Sequence, residues 1–139
     1  PEMSIEKVTQ SYIKEMQTKE PDFICLNYAN PDMVGHTGNF EAVKKAVEKV
    51  DQCLKQIVET SEKNNYNIII IADHGNAELM RNEDKSPHTA HTTNKVPCFI
   101  INSNYKSIRD GRLCDIAPTI LKLMNIKIPS EMTGDVLIS

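Results

Sequence analysis

Ile68-Ile69-Ile70-Ile71-Ala72-Asp73-His74-Gly75-Asn76 decides how the chain is read. Four consecutive isoleucines are β-branched and apolar on both alternating faces, the pattern of a strand buried on both sides. The run stops at a carboxylate, an imidazole and a glycine. In open α/β sheets ligands gather beyond the carboxyl ends of parallel strands, so Asp73 and His74 stand where such a fold does its chemistry.

Residues 39–62 precede this strand and set Phe40, Val43, Val47, Val50, Leu54, Ile57 and Val58 along one stripe. Glu41, Lys44, Lys45, Glu48, Lys49 and Lys55 lie opposite, which predicts an amphipathic helix with a solvated face. Further back, Phe23-Ile24-Cys25-Leu26-Asn27-Tyr28 is an apolar run of strand length, and Ala29-Asn30-Pro31-Asp32 is turn chemistry. Strand, long helix, strand predicts a βαβ unit with a parallel pair. Val96-Pro97-Cys98-Phe99-Ile100-Ile101 predicts a third strand, with Pro97 tolerable at its start. A first helix, capped by Ser4, carries Ile5, Val8, Tyr12, Ile13 and Met16 and breaks at Pro21. A last helix, capped by Asp115 with Pro118 in its first turn, stops before Pro129, and 131–134 reads as an irregular tail. The expected class is α/β: a mostly parallel sheet with flanking helices.

At 139 residues the chain can bury one domain-sized core. Sixteen Lys and Arg against 19 Asp and Glu give a net charge of −3 with the signs interspersed. That balance offers no electrostatic footprint for nucleic acid or an anionic membrane. The apolar runs fall far short of the roughly 20 residues a membrane helix needs, and no secretory pattern opens the chain. Cys25, Cys53, Cys98 and Cys114 form no CxxC pair and sit beside apolar patterns. They read as reduced, intracellular thiols rather than as a disulfide framework. The first residue is Pro1, which points to a piece of a longer chain.

Asp32 and His36, four apart, follow the first predicted strand, Asp73 and His74 follow the second, and His91 lies in the long polar segment 76–95. Parallel strands would bring these connections to one sheet edge. Two carboxylates and three imidazoles are the donors of a zinc or manganese site. Taken singly, each has a plainer reading: a turn for Asp73, a helix cap for Asp32, a surface position for His36. His88, three residues from His91, reads as a surface or supporting residue. A metal-dependent hydrolase or phosphotransferase also needs a nucleophile. Ser86, Thr89, Thr92 and Thr93 are the nearby hydroxyls, and none follows a strand in a glycine-rich or helix-opening turn. The residues alone therefore describe a metal site without its nucleophile.

Three stretches then resemble the cofactor-independent phosphoglycerate mutase family. They are Asn27-Tyr28-Ala29-Asn30-Pro31-Asp32-Met33-Val34-Gly35-His36-Thr37-Gly38, Ala72-Asp73-His74-Gly75-Asn76-Ala77-Glu78, and Thr89-Ala90-His91-Thr92-Thr93-Asn94-Lys95-Val96-Pro97. Asp115-Ile116-Ala117-Pro118-Thr119-Ile120-Leu121 and Glu131-Met132-Thr133-Gly134 fit the same family, while Lys95 stands where it usually has proline. The resemblance implies a partial alkaline-phosphatase-like sandwich. It also implies interconversion of 3-phosphoglycerate and 2-phosphoglycerate through a phosphoserine intermediate at a two-manganese centre. Carried over by motif, Asp32, His36 and His91 hold the first metal, and Asp73 with His74 contribute to the second.

In that family an aspartate and the nucleophilic serine near the start of the full chain complete the second metal. Neither they nor the inserted domain whose arginines grip the substrate has a counterpart here. The resemblance thus implies the carboxyl-terminal portion of a cytoplasmic glycolytic isomerase, inactive alone. Its partners would be the phosphoglycerate substrate and the missing upstream part of its own chain, with apolar surface exposed where absent strands would pair. Two other readings stay open. One is a metal-dependent phosphohydrolase or phosphopentomutase-like relative, against which the Asn30-Pro31-Asp32-Met33-Val34-Gly35-His36 stretch argues. The other is a non-catalytic metal-binding fragment.

Overall fold

Two long helices, α1 (Glu2–Lys19) and α3 (Phe40–Lys63), pack against each other and form the body of the protein. The computed structural model describes residues 2–139, with the side chains of α1 described from residue 5 onward. The expected Ser4 cap therefore lies outside the described side chains, and α1 already includes that residue. Ile5, Thr9 and Met16 recur at helical spacing and are buried, as are Val43, Cys53, Ile57 and Ser61 of α3. Burying an Ile or Met of this kind contributes roughly 1.5–3 kcal/mol. Polar pairs fix the register. The Tyr12 hydroxyl meets Ser61 Oγ at 2.8 Å, and Thr9 Oγ1 meets the Tyr28 hydroxyl at 2.6 Å. The stripe predicted for α3 is corrected at its edge, because Phe40 and Val47 face outward: the elements packed on α3 shield a face narrower than the apolar pattern. Asn39 starts α3 by accepting a hydrogen bond from Ala42 N at 3.0 Å.

The sheet differs from the parallel arrangement expected. β1 (Ile68–Ile71) pairs with β2 (Cys98–Ile101) in antiparallel fashion, from Ile68 opposite Ile101 to Ile71 opposite Cys98. Residues 23–28, expected as a strand, carry no strand hydrogen bonding. The run is nonetheless sided like one: Ile24, Leu26 and Tyr28 are half-buried, while Phe23, Cys25 and Asn27 are exposed. Its side chains have the period of a strand, but its backbone has no neighbour to pair with. The expected βαβ unit is thus absent among the described residues. The third predicted strand begins at Cys98 rather than Val96, which leaves Pro97 outside the ladder where its missing N–H costs nothing.

The turn expected at residues 29–32 opens a short helix, α2 (Asn30–Gly35), with Pro31 in its first turn. At the other end of the chain a 3-10 turn (Leu113–Asp115) leads into α4 (Ile116–Leu123). Asp115 stands at the N-cap position of α4, yet its carboxylate serves elsewhere. It accepts from Arg112 N at 2.7 Å and Asp135 N at 2.8 Å, so it ties the C-terminal segment to the helix start. That segment is no loose tail: Leu137 and Ile138 are buried, and Leu137 N donates to Thr119 Oγ1 at 3.0 Å. No helix among the described residues is long and apolar enough to cross a membrane.

Candidate metal centre

Antiparallel pairing still brings the predicted residues together, by a different route. β1 leaves the sheet at the edge where β2 enters it, so the whole connection 72–97 springs from one place. This connection folds back on itself through isolated bridges at Gly75 with Thr92 and Arg81 with Pro87. His74 and His91 are thereby set side by side, with ring centroids 3.7 Å apart and planes 21° from parallel. Helix α2 adds Asp32, and four residues on, His36 at its C-terminal end. One helical turn separates these two, so they project from the same face.

Asp32 is the hub. Its Oδ1 lies 3.0 Å from His91 Nε2, 3.3 Å from His36 Nε2 and 3.9 Å from His74 Nε2. Ligand atoms of Asp32, His74 and His91 all fall within 4.8 Å of one another. His36 approaches Asp32 from the side, with its ring centroid 5.1 Å from that of His91. Asp73 is the outlying member: its side chain is 82% exposed, and its Oδ1 is 3.7 Å from His74 Nε2. His74 Nε2 consequently lies between the two aspartates.

The opposite ring nitrogens are engaged as well. His36 Nδ1 faces the Thr89 carbonyl oxygen at 2.7 Å, and His74 Nδ1 faces that of Gly75 at 3.3 Å. A carbonyl oxygen only accepts, so in each neutral ring the hydrogen sits on Nδ1 and Nε2 presents a lone pair. Those lone pairs point toward a carboxylate oxygen that is itself electron-rich. Such an arrangement is repulsive until a cation, a proton or a metal ion, stands between the groups. Burial raises the Asp32 carboxyl, but the Asn76 hydrogen bond and the charge that His36, His91 and His74 carry when protonated outweigh it and hold the carboxyl below its usual range. One carboxylate with three imidazoles suits a divalent transition metal.

Reading the sequence alone missed the supporting residues. Asn76 is buried, and its Nδ2 donates to Asp32 Oδ1 at 2.6 Å. Gly35 makes room for it, since a Cβ there would lie 2.8 Å from Asn76 Cγ. Glu78 accepts from Asn76 N at 2.7 Å and from the Thr92 hydroxyl. The only signal for these roles was polar residues packed among glycines beside His74. His88 keeps apart from the cluster, with Nδ1 at 2.8 Å from Asn82 Oδ1. Two hydroxyls weighed as nucleophiles are engaged: Ser86 Oγ donates to Asp84 Oδ1 at 2.5 Å, and Thr92 to Glu78.

Comparison with known proteins places this cluster in context. Phosphoglycerate mutases named as 2,3-bisphosphoglycerate-independent are similar to it throughout. That of Flavobacterium johnsoniae is 52% identical over 133 residues, covering 96% of this chain and 26% of its own length. That of Wolbachia pipientis is 52% identical over 141 residues, covering all of this chain and 28% of its own length. The chain thus spans little more than a quarter of the curated relatives it matches. A crystal structure of Leishmania mexicana phosphoglycerate mutase, obtained at low cobalt concentration, superposes with a TM-score of 0.84 at 26% identity, over 97% of this chain and 28% of that one. That likeness bears out an α/β fold. Residues 1–128, nearly the full length, match the family described as the Metalloenzyme superfamily, and the chain belongs to it.

Proposed function

We propose that these residues form the metal-ligating portion of a 2,3-bisphosphoglycerate-independent phosphoglycerate mutase, a cytoplasmic isomerase that interconverts 3-phosphoglycerate and 2-phosphoglycerate in glycolysis and gluconeogenesis. Asp32, His36 and His91 hold one divalent cation, and Asp73 with His74 contribute to a second, manganese being the ion. The nucleophilic serine that carries the phosphoryl group, and the arginines that grip the substrate, come from sequence outside these 139 residues. So do the strands that complete an alkaline-phosphatase-like sandwich, in which residues 23–28 find their pairing partner. The relatives' greater length supports this division.

One observation carries the reading: the Nε2 atoms of three imidazoles converge on the single carboxylate oxygen Asp32 Oδ1. When bound, the cations neutralise phosphate charge and lower the pKa of a coordinated hydroxyl. The chain's own residues do the positioning. Asn76 fixes the Asp32 carboxylate, and the carbonyls of Thr89 and Gly75 fix which nitrogen His36 and His74 present. His74, between Asp32 and Asp73, is placed to link the two ligand sets.

Manganese titration of the chain, followed by calorimetry, tests the ligand set. His91→Ala and His36→Ala should each weaken binding by at least tenfold, and unchanged affinity in both would sink the proposal. Joined to the upstream sequence of a relative, the chain should convert 3- to 2-phosphoglycerate with manganese and not without it. Phosphatase activity with no mutase activity would favour a phosphohydrolase instead.

A further inference from the structure

We infer that Glu78 is a positioning residue whose two carboxylate oxygens clamp together the arms of the 72–97 connection that carry His74 and His91. Its consequence for metal binding rests on the metal-centre reading above, while the clamp itself needs no metal. Each oxygen serves one arm. Oε2 accepts from Asn76 N at 2.7 Å, two residues beyond His74. Oε1 accepts from the Thr92 hydroxyl, adjacent to His91, and from Asn94 Nδ2 at 3.0 Å.

Other features fit the same function. The arms also meet directly, where Thr92 N donates to the Gly75 carbonyl at 2.8 Å. Only glycine permits this approach at position 75. A Cβ there would lie 3.1 Å from Glu78 Cδ and nearer still to the Thr92 hydroxyl. From Asn76 the clamp extends to helix α2, through the side-chain bond to Asp32 Oδ1 at 2.6 Å. One carboxylate thus sits behind three elements of the site: the His74 arm, the His91 arm and, by way of Asn76, Asp32. Asp84, in the same connection, instead binds its own turn at Ser86.

A carboxylate is the group this position requires. Three donors converge on it, and a carboxylate offers acceptors alone, whereas an amide must turn an NH2 toward one arm. The Thr92 hydrogen bond, ahead of those from Asn94 and Asn76, holds the Glu78 carboxyl down at about 2, so it is ionised wherever histidines bind metal. Closing a loop of this length costs entropy on the scale of a few charge-assisted hydrogen bonds. Without the clamp the arms keep only the direct backbone bond from Thr92 N to the Gly75 carbonyl, and the two imidazoles are held less firmly.

The test uses the 139-residue chain with Glu78→Ala, Glu78→Gln and Thr92→Val, and reads two signals. In metal-free protein, the proton shifts of His74 and His91 report the ring current of their stack. In a cobalt titration, visible absorption reports affinity and ligand geometry. In Glu78→Ala the ring-current displacement should shrink and cobalt affinity fall about 10- to 100-fold. Glu78→Gln and Thr92→Val, each breaking one arm, should fall between this variant and the parent. Parent-like histidine shifts and cobalt affinity in Glu78→Ala would overturn the inference. A parent chain that binds no cobalt would overturn the metal reading instead, and the histidine shifts alone would then decide the clamp. If Glu78→Ala fails to fold, Glu78→Gln and Thr92→Val carry the test. Parent-like spectra in both would overturn it.

Discussion

Substituting Gly35 by alanine sets two effects of opposite sign against each other. Gly35 is the last residue of α2 and carries no left-handed backbone angle, so helix propensity alone makes alanine better by up to about 1 kcal/mol. The added Cβ, however, would lie 2.8 Å from Asn76 Cγ and 3.0 Å from Nδ2. Asn76 is only 5% exposed, and its amide is held by the 2.6 Å bond to Asp32 Oδ1. It has nowhere to go without losing that bond. Overpacking costs about 1–3 kcal/mol, and a hydrogen bond to a charged acceptor is worth about 1.5–3 kcal/mol. The clash wins, and Gly35→Ala should destabilise the protein by about 2–4 kcal/mol. Urea unfolding measures it, and a cycle with Asn76→Ala isolates the cause, because all three atoms the Cβ meets vanish in that background. There Gly35→Ala should turn neutral or mildly stabilising. A destabilisation of equal size in both backgrounds would refute the reasoning, as would a Gly35→Ala protein at least as stable as the parent.

Acid should unfold the chain in a defined window. Glu78 and Asp115 both sit at about 2 when folded, against about 4 in an unfolded chain. A depressed carboxyl contributes stability that is fully present above its unfolded pKa and is lost as pH falls through the folded one. Stability should therefore drop between about pH 4 and pH 2, and Asp115→Asn should flatten that slope when melting is followed by circular dichroism. Thr9→Val strands the Tyr28 hydroxyl, which burial already pushes above its ordinary pKa, and should cost about 1–2 kcal/mol in urea unfolding. The double variant with Tyr28→Phe should recover most of that loss, since no polar group is left stranded. Met16→Ala empties a fully buried position between α1 and its neighbours, and should cost about 2–5 kcal/mol in the same assay.

The long helices were legible in the sequence and the sheet pairing was not, for a physical reason. A helix satisfies its own backbone, so the 3.6-residue stripe of α3 appears in local sequence and survives in the fold. A strand needs a neighbour. Residues 23–28 and the isoleucine run have equally strand-like patterns, yet only the second finds a partner among the described residues. Pairing direction is even less local. A helix between two apolar runs implies a parallel crossover only if both runs are strands, and here one is not. Asp115 was misread similarly: capping chemistry is common to many aspartates, and nothing near it in sequence announces Asp135 as its partner.

The predicted residues come together despite the different topology because they are gathered by a feature common to both arrangements. Whether parallel or antiparallel, the strand Ile68–Ile71 ends where Asp73 and His74 begin, so these two stand at the sheet edge in either case. The antiparallel arrangement then does more than the parallel one could. It returns the chain to that same edge at Cys98, and the bridge between Gly75 and Thr92 then holds His91 beside His74. What this leaves open is the relative orientation of the two rings and of Asp32. That is settled by groups outside the proposed ligand set: the Glu78 carboxylate, the Asn76 amide, the Thr89 carbonyl and the missing side chain of Gly75. Ligand types can be recognised in a sequence because metals choose among few donors. The residues that aim them belong to no such short list, since any donor or acceptor of the right length serves, and only the folded backbone says which one is within reach.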